Sequence, residues 1–470
     1  MYNSLILGGG LNSLIASLTL SDVQSNQVNL FTDGRPFGAH FLGQELDGYS
    51  FDNGMIYVEP AINVREPQVN ATPPYSPGVR YDWARFGHQL NNFLSDIITL
   101  KQVDTPLSYI NGRYYPDLLI SDRLDSIRDI IGIHGPRDPC PEHLHPRYKN
   151  ISSQWDELTY VEATKIFHGQ DLSELINGSF LKKFCPPEQV TKILARYHRM
   201  LWLPIYYPET ILSAIQGSTE IPLPEYKFFV PENGFVGELV RNLVDKLKSR
   251  KNVKLYTAPI KSLAINENVF NILTDDSVVS IDVNGSAYSS LSMDRLLKLG
   301  GSSFKHSGKL ECTGVHVCYV IVDKRYIKNK FSTLNILDSS EPLLRISNMD
   351  SLTHDLEGYS RITIEYPLDF SDPDGGPPPS DEFVRRDISR HIFCGGVHDN
   401  DAVHILKKVT LNKALVLPTL DNLALYRQSR EIVGRELPQI KCFGSASHYG
   451  AASMNDQIIQ GLSVGRRFYE

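Results

Sequence analysis

The feature that most constrains the fold of this chain is a run of three glycines between an apolar segment and a helix-like segment. Residues 2–7 are mainly apolar, Gly8 to Gly10 follow, and apolar residues then recur at helical spacing in LNSLIASLTL. A second apolar run, VNLF at 28–31, completes a strand, turn, helix and strand within about thirty residues, the size of a βαβ unit. A right-handed crossover makes the two strands parallel and places the start of the helix at their carboxyl edge.

The order Gly8-x-Gly10-x-x-Ser13 is typical of a turn that binds a dinucleotide. Gly8 allows a tight turn, Gly10 lets the backbone approach a pyrophosphate, and the small Ser13 lets helix and strand pack closely. The amide groups of the first helical turn, including Leu11 and Asn12, then face the diphosphate. A purely structural glycine turn is the alternative interpretation.

The residues expected near the adenosine end follow the second strand. In this fold an acidic residue at the end of that strand accepts the ribose hydroxyls. Thr32 occupies that position here, and Asp33 comes one residue later. We expect Asp33 to reach the ribose, and Arg35 to meet a phosphate or to stack near the adenine.

Length and charge limit the classes of protein to which the chain can belong. With 470 residues it exceeds what one hydrophobic core usually supports, so two domains are expected. The net charge of -7 argues against a nucleic-acid binder, which would carry a basic surface. The sequence predicts no transmembrane segment and no signal peptide, so we expect a cytoplasmic protein that acts on a small-molecule substrate. A homodimer stays open.

The six cysteines predict neither a disulfide framework nor a metal site. None forms a Cys-x-x-Cys pair, so zinc ribbons and dithiol redox motifs are not indicated. Cys140, His143 and His145 lie close together in sequence, but no second ligand pair accompanies them. A solvated loop is the favoured interpretation of this segment, and a metal clip is the alternative.

Later segments predict a second, mixed region of structure. Residues 71–224 read as a mainly helical insertion. A turn at Glu232–Gly234 leads into an amphipathic helix and a strand at about 253–257, and residues 260–290 predict a small β-meander.

The carboxyl-terminal part contains further strand patterns. Segments 312–323 and 361–366 predict strands of an antiparallel sheet. The composition of residues 371–382 predicts a flexible loop. The closing segment, which begins with IKCFG, predicts a strand, a glycine-rich turn and a final helix.

Several of these segments, together with the glycine turn, resemble the flavin superfamily that includes amine oxidases, protoporphyrinogen oxidases and UDP-galactopyranose mutases. Gly38-Ala39 stands where the superfamily has Gly-Gly after the second strand, and Asp52-x-Gly54 matches its Asp-x-Gly strand. Asn233-Gly234 stands where a later Gly-Gly belongs, and Ile260 stands where a hydrophobic residue covers the adenine. The resemblance covers both ends and the middle of the chain and fades across 71–224.

The resemblance implies FAD as cofactor and an α/β fold with a Rossmann-like FAD-binding domain of the GR2 type and an inserted α+β substrate domain. The FAD-binding domain would comprise residues 1–70, 225–300 and 411–470, and the substrate domain residues 71–224 and 301–410. The expected cofactor-binding residues are Gly8, Gly10, Leu11, Asn12, Ser13, Asp33, Arg35, Gly38, Ala39, Gly54, Met55, Ile260, Gly444, Ser453, Met454 and Asn455.

The closing helix is expected beside the flavin. A reduced flavin gathers negative charge at its N1 and C2 carbonyl edge, and a helix that begins near Ser453 to Asp456 would direct amide groups there. Gly444 would permit a close approach of the backbone to the ribityl chain or the diphosphate. An ordinary helix capped by Ser453 or Asn455 is the alternative.

The sequence does not assign catalytic residues. The chemistry would belong to the flavin, and the protein would position the substrate and exclude water. Aromatic side chains and an arginine are candidates for the pocket wall because rings pack on flavins and arginine binds anions. These candidates are Trp202, Tyr206, Tyr207, Arg345, His448 and Tyr449, each of which also has an ordinary structural interpretation.

Three classes of function are compatible with this reading. The first is an FAD-dependent oxidoreductase that oxidises a C–N, C–O or C–C bond, which we favour. The second is a non-redox, flavin-dependent sugar-nucleotide mutase or a related enzyme of carbohydrate metabolism. The third is a binding protein in which flavin is absent or structural, for which Thr32 and Ala39 are the only indications.

Overall fold

The computed structural model describes residues 2–54, 57–58, 90, 92–104, 106–110, 112–116, 157–170, 173–174, 181–195, 197, 201, 203, 228–304, 308, 310–338, 340–350, 358–396, 400–444 and 453–465.

The strands of this part of the chain are β1 (Tyr2–Leu7), β2 (Asn26–Phe31), β3 (Gln44–Leu46), β4 (Tyr49–Phe51), β5 (Leu100–Val103), β6 (Leu107–Ile110), β7 (Arg113–Pro116), β8 (Phe228–Pro231), β9 (Val253–Tyr256), β10 (Ile260–Asn266), β11 (Val269–Thr274), β12 (Val278–Asp282), β13 (Ala287–Ser289), β14 (Cys312–Asp323), β15 (Thr333–Ile336), β16 (Arg345–Asn348), β17 (Tyr359–Pro367), β18 (Val403–Val416) and β19 (Ile440–Cys442). The α-helices are α1 (Leu11–Ser21), α2 (Tyr160–His168), α3 (Pro187–Val190), α4 (Gly237–Lys248), α5 (Met293–Leu299), α6 (Asp381–His391), α7 (Leu420–Glu436) and α8 (Met454–Val464).

The first two strands, β1 and β2, belong to a five-stranded parallel sheet in the order β19-β13-β1-β2-β9. β1 lies between β2 and β13, and Leu5 to Leu7 pair in register with both neighbours. These three residues are at most 1% exposed because both faces of the sheet are covered. The predicted strand, helix and parallel strand are confirmed.

Alternate residues of β1 enter two different hydrophobic clusters. Ile6 faces α1, α4 and α8, where it shares a cluster with Ile458. Leu5 and Leu7 face the opposite side, where Phe270 of the β10–β12 sheet, α5 and α7 complete a second cluster. The period of two in a strand therefore places a helical layer on one face and a mixed layer on the other.

Helices α1 and α8 pack closely against each other through glycines. A Cβ atom on Gly461 would lie 2.6 Å from the carbonyl oxygen of Asn12, and one on Gly465 would lie 2.1 Å from Oγ1 of Thr19. The later residue of α8 contacts the later residue of α1, so the two helices run parallel. Seven residues of α8 precede Gly461, so at a rise of 1.5 Å per residue α8 begins about 10 Å beyond the start of α1.

A seven-stranded sheet in the order β18-β14-β17-β16-β15-β6-β7 forms the second region. Its pairs are antiparallel except β15–β6. One face is apolar, with Ile346 and Ile364 packed in a cluster that also contains Val384 and Ile388 of α6. The strands predicted at 312–323 and 361–366 are confirmed as β14 and β17.

The structure confirms the predicted β-meander and the later helices and strands, and it changes the predicted loop at 371–382. The antiparallel strands β10, β11 and β12 confirm the β-meander, and α4, β9, β19 and α8 confirm the predicted later elements. The loop predicted over 371–382 is confirmed for residues 371–380, which form neither a helix nor a strand, but its last two residues belong to α6. Hydrogen-bonded turns at 369–375 order this segment, and Ser380 accepts a hydrogen bond from the Phe383 amide to begin α6 at Asp381.

Most of the insertion predicted at 71–224 lies outside the described residues. Its described parts include β5, which pairs with β8, and β6 and β7, which extend the seven-stranded sheet. In the described part of the chain, no helix combines the length and apolar character needed to cross a membrane.

A buried arginine joins the second sheet to the first region. Arg361 of β17 forms an ion pair with Asp350 at 2.6 Å and is only 12% exposed in its side chain. It also donates to the carbonyl oxygens of Ser50 in β4 and Asn233 in the turn before α4, at 2.9 and 2.6 Å. Removing the arginine side chain would leave the largely buried Asp350 carboxylate without its counter-charge.

The carboxylate of Asp52 caps the start of α4. It is 2% exposed, and its two oxygens accept hydrogen bonds from the Val236 amide at 3.1 and 3.2 Å. Burial raises its pKa to about 7, against the lowering effects of the amides of Val236 and Gly237 and of the charge on Arg361. Asp52 thus links the Asp-x-Gly segment to the helix that covers the parallel sheet.

We predict that Asp52 makes the free energy of unfolding decrease as pH rises. Its pKa is raised above the ordinary value of 3.8, so the folded state holds this proton more tightly than the unfolded state. The contribution of Asp52 to the free energy of unfolding is at its maximum below about pH 4. It falls by roughly 4 kcal/mol as the pH rises through about 7. Denaturant titrations at about pH 4.5 and pH 8 should show a smaller decrease in Asp52→Asn, which keeps a hydrogen-bond acceptor. Equal decreases in both proteins would contradict the prediction.

Candidate functional site

The three glycines after β1 have different local roles. Gly8 has a φ of +110°, and a Cβ there would lie 2.3 Å from Oγ of Ser290. A Cβ on Gly9 would lie 2.8 Å from the side chain of Thr32. At Gly10 the backbone has an ordinary φ of -69°, and an added Cβ would meet only Oδ1 of Asn12, at 3.0 Å. The first two glycines are required by packing, whereas Gly10 lines an open cradle.

The start of α1 has the properties of an anion site. Gly10 precedes the helix and provides no side-chain cap. Helix geometry leaves the first-turn amides without intrahelical acceptors. Asn12 accepts from the Ser13 amide at 2.9 Å, and the Ser13 hydroxyl lies 2.7 Å from that of Ser290. The buried Ser13 therefore fixes the start of α1 to the end of β13, as its predicted packing role requires.

The Gly38-Ala39 segment lies against the glycine turn. The Gly38 amide donates to the carbonyl oxygen of Gly9 at 2.7 Å. A Cβ on Gly38 would lie 2.2 Å from Cγ1 of Val240. Ala39 has a φ of 47°, in the left-handed region that favours glycine. This conformation explains physically why a second glycine suits the position.

The structure gives Asp33 an arginine partner that the sequence analysis missed. Arg295 at the start of α5 donates to both carboxylate oxygens of Asp33, at 2.8 and 2.7 Å, and to the carbonyl oxygen of Ile260 at 2.7 Å. The Ile260 amide also donates to Asp33, at 3.3 Å. The Ile260 side chain is buried in the cluster that contains Phe31, and Arg35 is exposed.

The segment after β19 approaches the start of α1. A Cβ on Gly444 would lie 2.1 Å from Nδ2 of Asn12, so the close approach observed at Gly444 is to that side chain. The same Cβ would lie 3.6 Å from Oε1 of Gln460, which is buried without a hydrogen-bond partner. The cradle is thus bordered by a buried, unpaired acceptor.

Helix α8 begins with a capping box. Ser453 accepts from the Asp456 amide at 3.1 Å, and the Asp456 carboxylate accepts from the Ser453 amide at 3.1 Å. Met454 and Asn455 follow the cap and are 4% and 2% exposed. The capping interpretation of Ser453 is therefore correct, and Asp456 adds a carboxylate at the positive end of the helix dipole.

A polar group of residues lies beyond the Asp-x-Gly segment. A Cβ on Gly54 would lie 3.1 Å from Oε1 of Glu365. Glu365 holds the candidate Arg345 in a two-pronged ion pair, at 3.0 Å from Nε and 2.5 Å from Nη2. The two side chains are 7% and 14% exposed. Asn53 connects this group to the glycine region, since it donates to the carbonyl oxygen of His40 at 2.9 Å.

Tyr319 of β14 belongs to the same polar group. Its hydroxyl donates to Oδ1 of Asn53 at 2.9 Å and accepts from Gln44 at 2.8 Å. Burial raises the pKa of Tyr319, and the charges of Glu365 and Asp52 raise it further. Tyr319 is therefore a neutral hydrogen-bonding group and not a base at neutral pH.

Sequence patterns alone predicted no role for Glu365, Tyr319, Asn53 or Arg295. For Glu365 a signal exists, because Arg361, Thr363 and Glu365 alternate with isoleucine and tyrosine in RITIEY and place polar groups on one face of β17. The contacts of Asn53 and Arg295 join residues far apart in sequence and have no local pattern.

Several predicted residues lie outside the described part of the chain. They are Met55, Trp202, Tyr206, Tyr207, His448 and Tyr449, together with the loop residues Cys140, His143 and His145. Among the described residues, no group of three or more His, Cys, Asp or Glu side chains is arranged to hold a metal ion.

No protein-family model and no curated protein sequence matches the chain. A reduced UDP-galactopyranose mutase superposes with a TM-score of 0.67 at 13% identity, over 99% of this chain and 95% of that one. A protein assigned as a protoporphyrinogen oxidase from Exiguobacterium sp. 255-15 gives 0.62 at 14% identity, over 99% and 98% of the two chains. Putrescine oxidase bound to putrescine gives 0.56 at 12% identity, over 99% and 97%.

These similarities extend over almost the whole of each chain, including the ends at which the glycine turn and α8 lie. At 10–14% identity they establish the fold and not the reaction. The predicted resemblance is therefore confirmed at the level of the fold, which this chain shares with UDP-galactopyranose mutase, protoporphyrinogen oxidase and putrescine oxidase of the FAD amine-oxidase-like superfamily.

Proposed function

We propose that this protein is an FAD-dependent oxidoreductase that oxidises a C–N, C–O or C–C bond of a small molecule. The observation that carries the proposal is the pair of parallel helices α1 and α8, whose starts are offset by about 10 Å. A helix start attracts anions. The diphosphate of FAD suits the start of α1, and the negative edge of the reduced flavin suits the start of α8.

The residues around the two helix starts fit FAD. Gly10 leaves room at the mouth of α1, where a side chain would fill the cradle. Leu11 and Asn12 would present backbone amides to the diphosphate, Ser13 would hold the turn through the hydrogen bond that its amide donates to Asn12, and Gly38 and Ala39 would border the site. Gly54, Gly444 and the α8 residues Met454 and Asn455 would surround the ribityl chain and the ring. When bound, the flavin supplies electron or hydride acceptance.

Asp33 retains a capacity to bind the ribose despite its ion pair. A carboxylate offers about four hydrogen-bonding positions. Arg295 and the Ile260 amide use three of them. We propose that Arg295 positions the Asp33 carboxylate for the adenosine half, with Ile260 beneath the adenine and Arg35 outside it.

The seven-stranded sheet would provide the substrate side of the site. Gly54 and Glu365 bring that sheet into contact with the segment expected at the flavin. Arg345 is already neutralised by Glu365, so we propose that it orients Glu365 and does not act as a free anion receptor. This supports a discontinuous FAD-binding domain of the GR2 type with an inserted substrate domain, as the resemblance implies.

A second candidate is a flavin-dependent sugar-nucleotide mutase. It is favoured by the polar character of the face that carries Arg345, Ser347, Thr363 and Glu365, which suits a substrate with many hydroxyl groups. Activity on a nucleotide sugar only after chemical reduction of the protein would favour this candidate. Bleaching under air by an amine or alcohol, with release of peroxide, would favour the oxidoreductase.

The proposal is tested first by the cofactor. The purified protein should be yellow, and mass spectrometry of the material released on denaturation should identify FAD. A protein that is colourless and does not bind added FAD, measured by quenching of the flavin fluorescence, would overturn both candidates.

We predict that Gly10→Ala loses FAD while the protein stays folded. Its φ of -69° suits alanine, but the new methyl group would occupy the cradle at the mouth of α1. Gly8→Ala is the matched control, because its φ of +110° and the clash with Ser290 should lower thermal stability itself. Flavin content and melting temperature measured together separate the two effects. Full flavin content in Gly10→Ala would remove the cradle assignment.

We predict that Asp456→Asn raises the reduction potential of the bound flavin. The substitution removes a negative charge at the start of α8, while an asparagine oxygen can still accept from the Ser453 amide. A charge at a helix end is worth about 0.3–1 kcal/mol, which corresponds to about 6–21 mV for a two-electron couple. Spectroscopic titration with a reference dye measures the potential. A lowered or unchanged potential would place α8 away from the flavin.

We predict that Glu365→Gln strongly destabilises the protein because it leaves the buried Arg345 without its counter-charge. The expected loss is about 3–5 kcal/mol. The double variant Arg345→Met/Glu365→Leu should recover most of it, since apolar side chains of similar volume can replace a buried pair. Denaturant titrations of both variants measure this difference, and equal stability of the two would contradict it.

A further inference from the structure

Three buried polar groups without hydrogen-bond partners lie on one face of the seven-stranded sheet. They are Nδ2 of Asn335 in β15, Oγ of Ser347 in β16 and Oγ1 of Thr363 in β17. The three residues are 1%, 5% and 0% exposed. Buried polar groups in folded proteins are nearly always paired, because an unpaired one costs free energy.

The strand register places these groups together. Ser347 lies directly opposite Thr363, and Asn335 lies opposite Arg345, which in turn faces Glu365. Directly paired residues in antiparallel strands point to the same face, with Cβ atoms about 4.5–5.5 Å apart. The unpaired groups, called the row below, therefore adjoin the Arg345–Glu365 ion pair. Ser347 and Thr363 occupy the neighbouring register position, and Asn335 lies at the end of the ion pair's own. A fourth such group, the hydroxyl of Tyr115 in β7, extends this row, because Tyr115 lies opposite Ser108 of β6 and Ser108 lies opposite Asn335.

This row lies on the side that we assign to the flavin. Glu365, in the neighbouring register position, approaches Gly54 of the Asp-x-Gly segment. The opposite face is the apolar one, which α6 covers. The row thus continues the candidate site, and Tyr319 of β14, which lies opposite Thr363, joins it to a small hydrophobic cluster with Phe51.

The chemistry of the row selects the ligand. The amide nitrogen of Asn335 only donates and needs an acceptor, whereas the hydroxyls of Ser347 and Thr363 can both donate and accept. An ammonium group has no acceptor, and an apolar ring offers neither function. The adjacent charges cancel in the Arg345–Glu365 pair, so this part of the face has no unbalanced charge for a diamine or a dicarboxylate.

We propose that the face formed by Asn335, Ser347 and Thr363 binds the uncharged, polyhydroxylated part of the substrate, such as a sugar ring or a polyol. This inference rests on the proposed function, which it narrows to substrates with several hydroxyl groups. It holds for both candidate reactions, since an alcohol-oxidising enzyme and a sugar-nucleotide mutase would each present hydroxyl groups to this face.

The test combines ligand binding with stability in hydroxyl-deleted variants. The purified protein is titrated with galactose, myo-inositol, UDP-galactose and, for comparison, putrescine, by calorimetry and by thermal shift. At least one polyhydroxylated probe should bind in preference to putrescine. Thr363→Val and Ser347→Ala should each weaken that binding about 5- to 10-fold, the effect of one lost hydrogen bond. Their melting temperatures should equal or exceed that of the parent, because the deleted hydroxyls have no partner in the protein.

Ser360→Ala is the matched control on the same strand. Its hydroxyl is buried and donates to Asn348 at 2.8 Å, so its removal should lower the melting temperature and leave ligand binding unchanged. The proposal is overturned if only putrescine or none of the probes binds, or if Thr363→Val and Ser347→Ala lose stability with unchanged affinity. Flavin content is measured separately. A yellow protein that fails these tests defeats this inference alone, whereas a colourless one that binds no FAD defeats the proposed function.

Discussion

The close packing of α8 on α1 is the constraint on which the rest of the site depends. Gly461 and Gly465 remove the Cβ atoms that would otherwise meet the backbone of α1 and the side chain of Thr19. This contact fixes the direction of α8 and places its first turn beyond the glycine turn that follows β1. Two helix starts then face the same side of the parallel sheet, at two positions along one line. A long dinucleotide with charge at both its middle and its end matches this arrangement.

Arginine–carboxylate pairs fix the segments around this line. Arg295 joins Asp33 to Ile260, and Arg361 joins β17 to the turn before α4. The planar guanidinium holds a carboxylate by two hydrogen bonds, so it fixes orientation as well as neutralising charge. Each arginine connects elements distant in sequence, and Arg361 lies where the seven-stranded sheet meets the turn before α4. Charges that are already paired leave the neighbouring surface nearly neutral, which shapes what can bind there.

The proposed substrate side differs in character from the proposed cofactor side. The proposed cofactor side is built from glycine residues and backbone amides, which suit an anion such as phosphate. The face that carries Ser347 and Thr363 offers side-chain hydroxyls and an amide, which recognise the pattern of donors and acceptors on a ligand. In a fold shared by enzymes as different as a mutase and a diamine oxidase, such side chains and not the fold decide the substrate.

The sequence by itself determined the βαβ unit, the glycine turn, the amphipathic α4 and the capped closing helix. Each of these rests on residues within one or two turns of each other, and periods of two and 3.6 are visible in the chain. It also indicated the fold through short segments at fixed places. Only the tertiary structure decided that Asp33 is held by Arg295, 262 residues away, and that Arg345 is neutralised by Glu365. It also decided that unpaired polar groups of three strands share one face. Pairing and register between distant segments depend on how the chain folds back on itself, and no local pattern encodes them.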